Sequence, residues 1–164
     1  MNKPVTVKRQ IKHTILADSR EKSRLEFAHP DIARTKKYKL DVGDYCICFA
    51  DGFIPPVIFE RKGIGDLFGS LSRNYPRIKE EVIRAKDSGT ILIFIIEGSL
   101  SKVLKGYKHS KVSGLTIIRT LFSLWVRYNV IPVFVKDREE MSLYIVEYYL
   151  AVWRKRQGRI LVKK

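Results

Sequence analysis

The sequence predicts a single α/β domain in which a mixed central β-sheet is flanked by α-helices. Short apolar runs with strand-like alternation occupy the first part of the chain, and a continuous β-branched run at 90–97 is typical of a central buried strand. Stretches at 115–128 and 141–153 carry apolar residues at helical spacing. A chain of 164 residues is long enough for one domain with a substantial core.

The remaining elements follow from local patterns. The first strand is predicted at 13–18, and residues 22–34 form either a short helix or an irregular crossover. Residues 36–41 can form a strand leading into Gly43. Later elements are predicted as helices at 65–71, 75–85, 115–128 and 141–153 and strands at 90–97 and 130–135.

A β-hairpin is predicted around Asp51-Gly52, a dipeptide that favours tight turns between two apolar alternations. A two-residue loop would send Asp44 and Glu60 to opposite faces, whereas a three-residue loop at 51–53 places them directly opposite each other. The second register also makes one face entirely apolar, which burial favours. That apolar face comprises Tyr45, Ile47, Phe49, Val57 and Phe59.

The end of the second hairpin strand carries the triplet Glu60-Arg61-Lys62. Because side chains alternate across a strand, Glu60 and Lys62 share one face and Arg61 points to the other. Carboxylates can hold a divalent cation, and a neighbouring lysine can stabilise the charge of a phosphorane or orient an attacking water. A lone triplet of this kind is more often a surface strand edge, but together with Asp44 it indicates a metal-dependent phosphodiesterase.

The charge balance is strongly basic, with 32 Lys and Arg against 17 Asp and Glu and a net charge of +15. Such a surplus favours a polyanionic partner and an affinity that falls steeply with salt. Charge alone is equally compatible with a ribosome-associated protein or with a surface that is simply kept soluble. An acidic cluster within this basic background favours a nuclease over both.

Further charged residues stand in a fixed order around this cluster. The motifs are Asp18-Ser19-Arg20-Glu21 at the exit of the first strand, Gly43-Asp44-Tyr45, Glu60-Arg61-Lys62, Asp66-Leu67 and Ser70-Leu71. In this order and approximate spacing, they resemble the nuclease domain of the XPF family of structure-specific DNA endonucleases, which includes the archaeal Hef nuclease. The resemblance covers roughly residues 13–153, although 72–77 departs from the family's usual Gly-Arg-x-x-x-Gln stretch.

The resemblance implies a restriction-endonuclease-like core that cuts DNA near branch points with Mg²⁺ or Mn²⁺ and leaves 5′-phosphate and 3′-hydroxyl ends. It implies that Asp44 and Glu60 are the central metal ligands, with Asp18 as a third, and that Lys62 is the catalytic lysine. The full set of catalytic residues implied in this way is Asp18, Glu21, Asp44, Glu60, Arg61 and Lys62.

Contacts with DNA are expected from two regions. Around the acidic cluster, the residues expected to support the site or contact DNA are Arg20, Asp66, Ser70, Arg73 and Arg77. The lysine-rich stretch 99–113 lacks apolar periodicity and is either a mobile loop that contacts the DNA backbone or a solvated surface loop. Its candidate DNA-binding residues are Lys105, Tyr107, Lys108 and Lys111.

The predicted organisation is a basic N-terminal segment (1–12), an XPF-type nuclease domain (13–157) and a basic C-terminal tail (158–164). Larger XPF relatives also carry a tandem helix-hairpin-helix module, and we expect none in this sequence. With no signal peptide and no apolar run long enough to span a bilayer, a soluble intracellular protein without a membrane partner is expected.

A homodimer is expected because the helix at 141–153 is apolar almost all round, more than contact with a sheet requires. Such a helix is either sandwiched in the core or shared with another subunit. XPF-family nuclease domains pair through helices in this region, so the resemblance favours an isologous dimer through helices 115–128 and 141–153.

Two alternatives remain open at this point. One is a junction resolvase or a restriction-type nuclease that shares the same core. The other is a non-catalytic DNA-binding dimer partner, although such subunits typically lose the acidic and lysine positions that are all present here.

Overall fold

The computed structural model describes residues 11–158, so nearly all of the predicted N-terminal segment 1–12 and C-terminal tail 158–164 lies outside the described residues. The elements, in chain order, are β1 (His13–Asp18), β2 (Ile32–Tyr38), β3 (Tyr45–Cys48), β4 (Val57–Gly63), α1 (Ile64–Ser70), α2 (Tyr75–Asp87), β5 (Ile91–Glu97), α3 (Leu100–Leu104), α4 (Gly114–Tyr128), β6 (Ile131–Val135) and α5 (Arg138–Arg156).

The six strands form one mixed sheet in the order β2-β1-β3-β4-β5-β6. Strand β3 runs antiparallel to β1 and β4, whereas β1 with β2, β4 with β5, and β5 with β6 pair in parallel. The carboxyl ends of β1, β4 and β5 therefore meet the amino end of β3 at one edge of the sheet. A mixed sheet flanked by helices confirms the predicted fold class.

Each face of the sheet is covered by its own helical layer. Helix α5 packs on one face, where Tyr149 is fully buried and its hydroxyl donates a hydrogen bond to the carbonyl of Val57 at 2.7 Å. Helices α1 to α4 cover the other face around a second core that includes Phe68, Phe94 and Leu121. The sheet is thus buried on both sides, and functional side chains can reach solvent only at its ends.

The hairpin register was predicted correctly. Tyr45 lies opposite Phe59, and the backbone N–H of Asp44 donates to the carbonyl of Phe59 at 2.8 Å. This alignment continues to place Asp44 opposite Glu60. All five residues of the predicted apolar face are buried, which is the physical reason for this register.

Two local predictions were wrong in part. The strand expected at 36–41 begins earlier, at Ile32, because β2 is an exposed edge strand whose polar side chains give no alternating pattern; the preceding segment is an irregular crossover. The stretch 99–113 is not all loop, because Ser99 caps the short helix α3 by accepting a hydrogen bond from the N–H of Lys102 at 3.1 Å. None of the helices within 11–158 has the length and apolar character needed to cross a membrane.

Candidate active site

Three of the predicted site carboxylates are brought together where β1 and β4 end and β3 begins. Glu21, Asp44 and Glu60 line two adjoining cavities of about 230 and 380 Å³ at this edge. The smaller cavity is also lined by Asp18, and the larger one by Lys62. The sheet topology thus converts three separate sequence motifs into one site.

The carboxylate of Asp44 is held by the opposite strand. Its Oδ2 accepts a hydrogen bond from the backbone N–H of Arg61 at 2.8 Å, which fixes the side chain towards Glu60. Burial, followed by the negative charge of Glu60, raises the pKa of Asp44 to about 7. A carboxylate whose pKa is raised by burial and by the charge of a second carboxylate lies in a favourable environment for a cation.

Glu60 and Lys62 form a close ion pair. The Nζ of Lys62 lies 2.5 Å from Oε1 of Glu60 and 5.5 Å from the ring centroid of Phe94, and Lys62 is only 7% exposed. Burial raises the pKa of Glu60 above its ordinary value, although the ammonium of Lys62 partly offsets this. The lysine is therefore confined by packing beside the carboxylate, as a positioned charge stabiliser would be.

The carboxylate of Asp18 accepts hydrogen bonds from neighbouring donors. These donors are Arg20 N, Nε and Nη2 and, at 2.9 Å, the backbone N–H of Leu40. Burial alone would raise the pKa of this carboxyl, but the hydrogen bonds from Arg20 and Leu40 hold it below its ordinary value. Because both oxygens are occupied, Asp18 ties the β1 exit to the chain before β3, and this arrangement does not favour it as a direct metal ligand.

Arg61 points to the opposite face from Glu60 and Lys62, as strand alternation requires. Its Nη2 lies 3.7 Å from Oε1 of Glu21, and the same oxygen accepts a hydrogen bond from the N–H of Ser23 at 2.7 Å. The buried Nε of Arg61 has no hydrogen-bond partner among residues 11–158. Arg61 therefore positions Glu21 at the rim of the site.

One acidic residue of the site, Glu81 on α2, was missed by the sequence analysis. Its Oε1 accepts a hydrogen bond from the N–H of Gly43 at 3.2 Å, and its charge contributes to the raised pKa of Glu60. Gly43 has φ +70°, and a Cβ there would meet Ile58 at 2.4 Å, so the chain needs glycine at this turn. The only sequence signal was a pair of glutamates on the outer face of a helix, which is usually a solvated surface.

The predicted DNA-binding residues fall into two groups. Arg20 and Arg77 line the smaller acidic cavity, and Asp66, Ser70 and Arg73 line the larger one. In the basic stretch, Tyr107 and Lys111 line a third cavity together with Arg73, whereas Lys105 and Lys108 are exposed on the surface. Three of these six cations thus line the acidic cavities.

The resemblance implies a divalent cation, and two carboxylates of the site suit one. Within 11–158, no three His, Cys, Asp or Glu side chains are assembled as a ready-made ligand set. Asp44 and Glu60 nonetheless fit a hard cation, because Mg²⁺ is commonly held by one or two carboxylates and keeps several of its waters. A cation at this position would also offset the negative charge of Glu60, which contributes to the raised pKa of Asp44.

We expect the metal-free protein to lose stability as the pH rises from about 4 to about 7. In this window the folded state holds a proton on Asp44, whose pKa is raised to about 7, whereas the unfolded chain releases it. The folded state therefore binds more protons, and the free energy of unfolding falls with rising pH. Asp44→Asn should be more stable than wild type at pH 8, by on the order of 1–3 kcal/mol, but not at pH 4.

Denaturant unfolding of both proteins in EDTA at pH 4, 6 and 8 measures this difference. The exposed Asp87 on α2 offers a control, since Asp87→Asn should leave the pH dependence of wild type unchanged. A stability difference between Asp44→Asn and wild type that does not grow with pH would contradict the assigned environment of Asp44.

Comparison with known proteins shows similarity to nucleases. The model of the ERCC4 domain family matches residues 17–156. The fold is similar to that of XPF from Aeropyrum pernix, with a TM-score of 0.67 and 19% identity over 92% of this chain and 66% of the other. A second structure of XPF from Aeropyrum pernix, in complex with DNA, gives a TM-score of 0.64 and 19% identity over 93% of this chain and 68% of that one.

At this level of identity, the structural likeness shows the fold, which is that of an XPF-type nuclease domain. The chain spans about two thirds of the length of these Aeropyrum pernix chains. Comparison with curated protein sequences gave no match.

Proposed function

The chain belongs to the ERCC4 domain family, and from this premise we propose that it is a Mg²⁺- or Mn²⁺-dependent DNA endonuclease acting at or near branched structures such as flaps, forks and junctions. The observation that carries the proposal is the site itself: Asp44 and Glu60 face each other across a hairpin, with the buried ammonium of Lys62 2.5 Å from Glu60. Burying charged side chains costs free energy unless they are fully paired. A cluster of buried charges of both signs at one sheet edge is therefore a candidate functional site.

Each residue of the site has a part in the proposed hydrolysis. A bound divalent cation supplies Lewis-acid activation of the phosphodiester and of the attacking water. Asp44 and Glu60 hold it, and Arg61 keeps Asp44 in place through its backbone N–H. Lys62 donates from its ammonium to a phosphate oxygen that gains charge in the transition state. Breakage of the P–O3′ bond leaves a 5′-phosphate and a 3′-hydroxyl.

DNA as the substrate is supported by charge and by likeness. The net charge of +15 suits a polyanion, and Arg73 and Arg77 line the acidic cavities, where they can neutralise phosphates beside the carboxylates. XPF from Aeropyrum pernix, which has the same fold, is described in complex with DNA. Lys105, Lys108 and Lys111 extend the basic surface beyond the site.

The proposal is tested by incubating the chain with end-labelled fork, 3′-flap, four-way junction and linear duplex DNA in Mg²⁺, Mn²⁺ or EDTA. Metal-dependent cleavage near the branch of forks and flaps is expected, with little cleavage of linear duplex. Symmetric incisions restricted to junctions would instead indicate a resolvase. Sequence-dependent cutting of linear duplex would indicate a restriction-type enzyme, and binding without cleavage in either metal would indicate a non-catalytic partner.

We further propose that two copies associate through the helices 115–128 and 141–153, with α4 providing the larger share. The apolar surplus expected on α5 is mostly buried against the sheet, where Tyr149 and Leu150 pack. On α4, by contrast, Phe122 is 42%, Trp125 45% and Val126 87% exposed. Leu143 and Tyr144 add exposed apolar surface on α5. Exposed apolar area of this kind often marks a protein interface.

Trp125→Glu is therefore expected to convert a dimer to a folded monomer at micromolar concentration. A charge at an exposed position does not disturb the core but must be desolvated in an apolar interface. Tyr38→Glu is the matched control, since Tyr38 is 47% exposed on the opposite edge strand β2. Sedimentation equilibrium decides the matter: a monomeric wild type, or a Trp125→Glu variant that still sediments as a dimer, would refute this interface.

A further inference from the structure

A cavity of about 630 Å³ adjoins the acidic site and lies between α1 and the segment 107–112. It is lined by Gly65, Gly69, Arg73, Tyr107, His109 and Lys111 among others. Gly65, Asp66, Gly69 and Arg73 also line the larger acidic cavity, so the two spaces adjoin each other. Nothing in the hydrolysis described above uses this second space.

The chemistry of its walls suits a nucleotide. The ring of Tyr107 packs against the buried ring of Phe68 at a centroid distance of 5.8 Å and against His109 at 5.3 Å, so it is held in place. Arg73 and Lys111 are exposed cations at the same cavity. Held aromatic rings stack with bases, and exposed cations pair with phosphates.

Two glycines of α1 line the cavity. Gly65 and Gly69 stand one turn apart on the seven-residue helix α1, where glycine is less favourable than alanine. Close packing of Tyr107 accounts for the glycine at position 65, because a Cβ there would meet the tyrosine Oη at 3.0 Å. Packing does not explain Gly69, since a Cβ there would meet nothing within 4 Å among the described residues. A Cβ at 69 would only fill the shared space of the two cavities.

We propose that this cavity receives one unpaired nucleotide next to the scissile phosphate, with its base against Tyr107 and its phosphate between Arg73 and Lys111. This inference rests on the proposed function. It extends that function by naming the feature of the DNA that the site recognises, which is an unpaired nucleotide. An unpaired base is placed in such a pocket at little cost, whereas a paired one must first be unstacked. Preference for branched DNA then arises in the nuclease domain itself.

The test is a series of fork substrates, each with a single abasic nucleotide at one of the positions flanking the cleavage site. Stacking on one aromatic ring predicts one position at which base removal slows wild-type cleavage by about 5- to 100-fold. In Tyr107→Ala that penalty should disappear, because the intact and abasic forks are then cut at the same reduced rate. Tyr107→Phe should retain the penalty, because it keeps the ring.

Gly69→Ala gives a second, independent readout. Replacement of glycine within a helix by alanine stabilises the fold where space allows, so the variant should unfold at an equal or higher temperature than wild type. Its methyl group occupies the cavity, so the abasic penalty should shrink despite the gain in stability. Tyr128→Ala removes a tyrosine ring at the far end of α4. It is the matched control for Tyr107→Ala and should keep the full abasic penalty.

Absence of any base-dependent position in wild type, or a penalty undiminished in Tyr107→Ala and Gly69→Ala, would overturn the inference. Failure of the proposed function looks different, because wild type would then cut no fork in either metal. In that case the inference is decided by fluorescence anisotropy with the same labelled forks. Weaker binding of one abasic fork by wild type but not by Tyr107→Ala supports it, and equal binding of all forks overturns it.

Discussion

Asp44→Asn and Glu60→Gln are each expected to abolish metal-dependent DNA cleavage while leaving DNA binding equal or stronger. Asp44 directly precedes β3 and Glu60 lies on β4, and the two carboxylates line the same cavities and offer hard oxygen ligands there. Loss of a ligand removes the several kcal/mol that a bound cation supplies, a fall of roughly a thousandfold or more. Loss of a negative charge also removes repulsion of phosphate, so binding does not suffer.

Misfolding does not account for this expected loss. Burial raises the pKa of both carboxyl groups, so the neutral amides relieve strain on the fold. Asp44→Asn should therefore be at least as stable as wild type at pH 8, whereas Glu60→Gln also removes the partner of the buried Lys62 ammonium, so its folding is checked directly by denaturant unfolding. The exposed Glu139 on α5 provides the matched control, and Glu139→Gln should cut at the wild-type rate. Wild-type turnover in either Asp44→Asn or Glu60→Gln would show that the metal site has been placed wrongly.

Lys62→Ala is expected to lower turnover by about two or more orders of magnitude, the usual scale for losing one preorganised charge stabiliser. Lys62 is 7% exposed, and its ammonium is held between Glu60 and the ring of Phe94. Cation binding should survive, and should even strengthen, because the removed ammonium lies 2.5 Å from Oε1 of Glu60 and competes for that oxygen.

Single-turnover cleavage of a fork and calorimetric titration with Mn²⁺ separate these two effects. Lys62→Met is the companion variant, because it keeps the volume of the buried stem and removes only the charge. Both variants should show the same loss of turnover. Normal turnover with weakened Mn²⁺ affinity would mean that Lys62 serves the metal site and not the phosphate.

Much of the site was predictable because its geometry is local. Asp51-Gly52 sets the turn, and burial of the apolar face selects the register that places Asp44 opposite Glu60. Two-residue alternation then places Lys62 beside Glu60. These relations join neighbouring strands and follow from the two-residue alternation of side chains. They can therefore be predicted from the sequence.

The contacts that could not be predicted from the sequence join elements that are far apart along the chain. Glu81 reaches the site only because α2 packs beside the turn at Gly43. Asp18 is engaged by the N–H of Leu40, which the crossover after β2 brings to it. Packing against the sheet decides which apolar residues of α5 are buried and which are exposed. The helical spacing of those residues does not reveal this. In each case the deciding partner lies more than twenty residues away or in another layer.

The central claim is that the pair Asp44 and Glu60 makes this chain a metal-dependent DNA endonuclease. The most direct measurement is cleavage of one labelled fork by wild type and by the Asp44→Asn/Glu60→Gln double variant, each in Mg²⁺ and in EDTA. We predict nicked product with ligatable 5′-phosphate and 3′-hydroxyl ends from wild type in Mg²⁺ and from no other combination. Product in EDTA, product from the double variant, or a wild type that binds the fork without cutting it in Mg²⁺ or Mn²⁺ would contradict the claim.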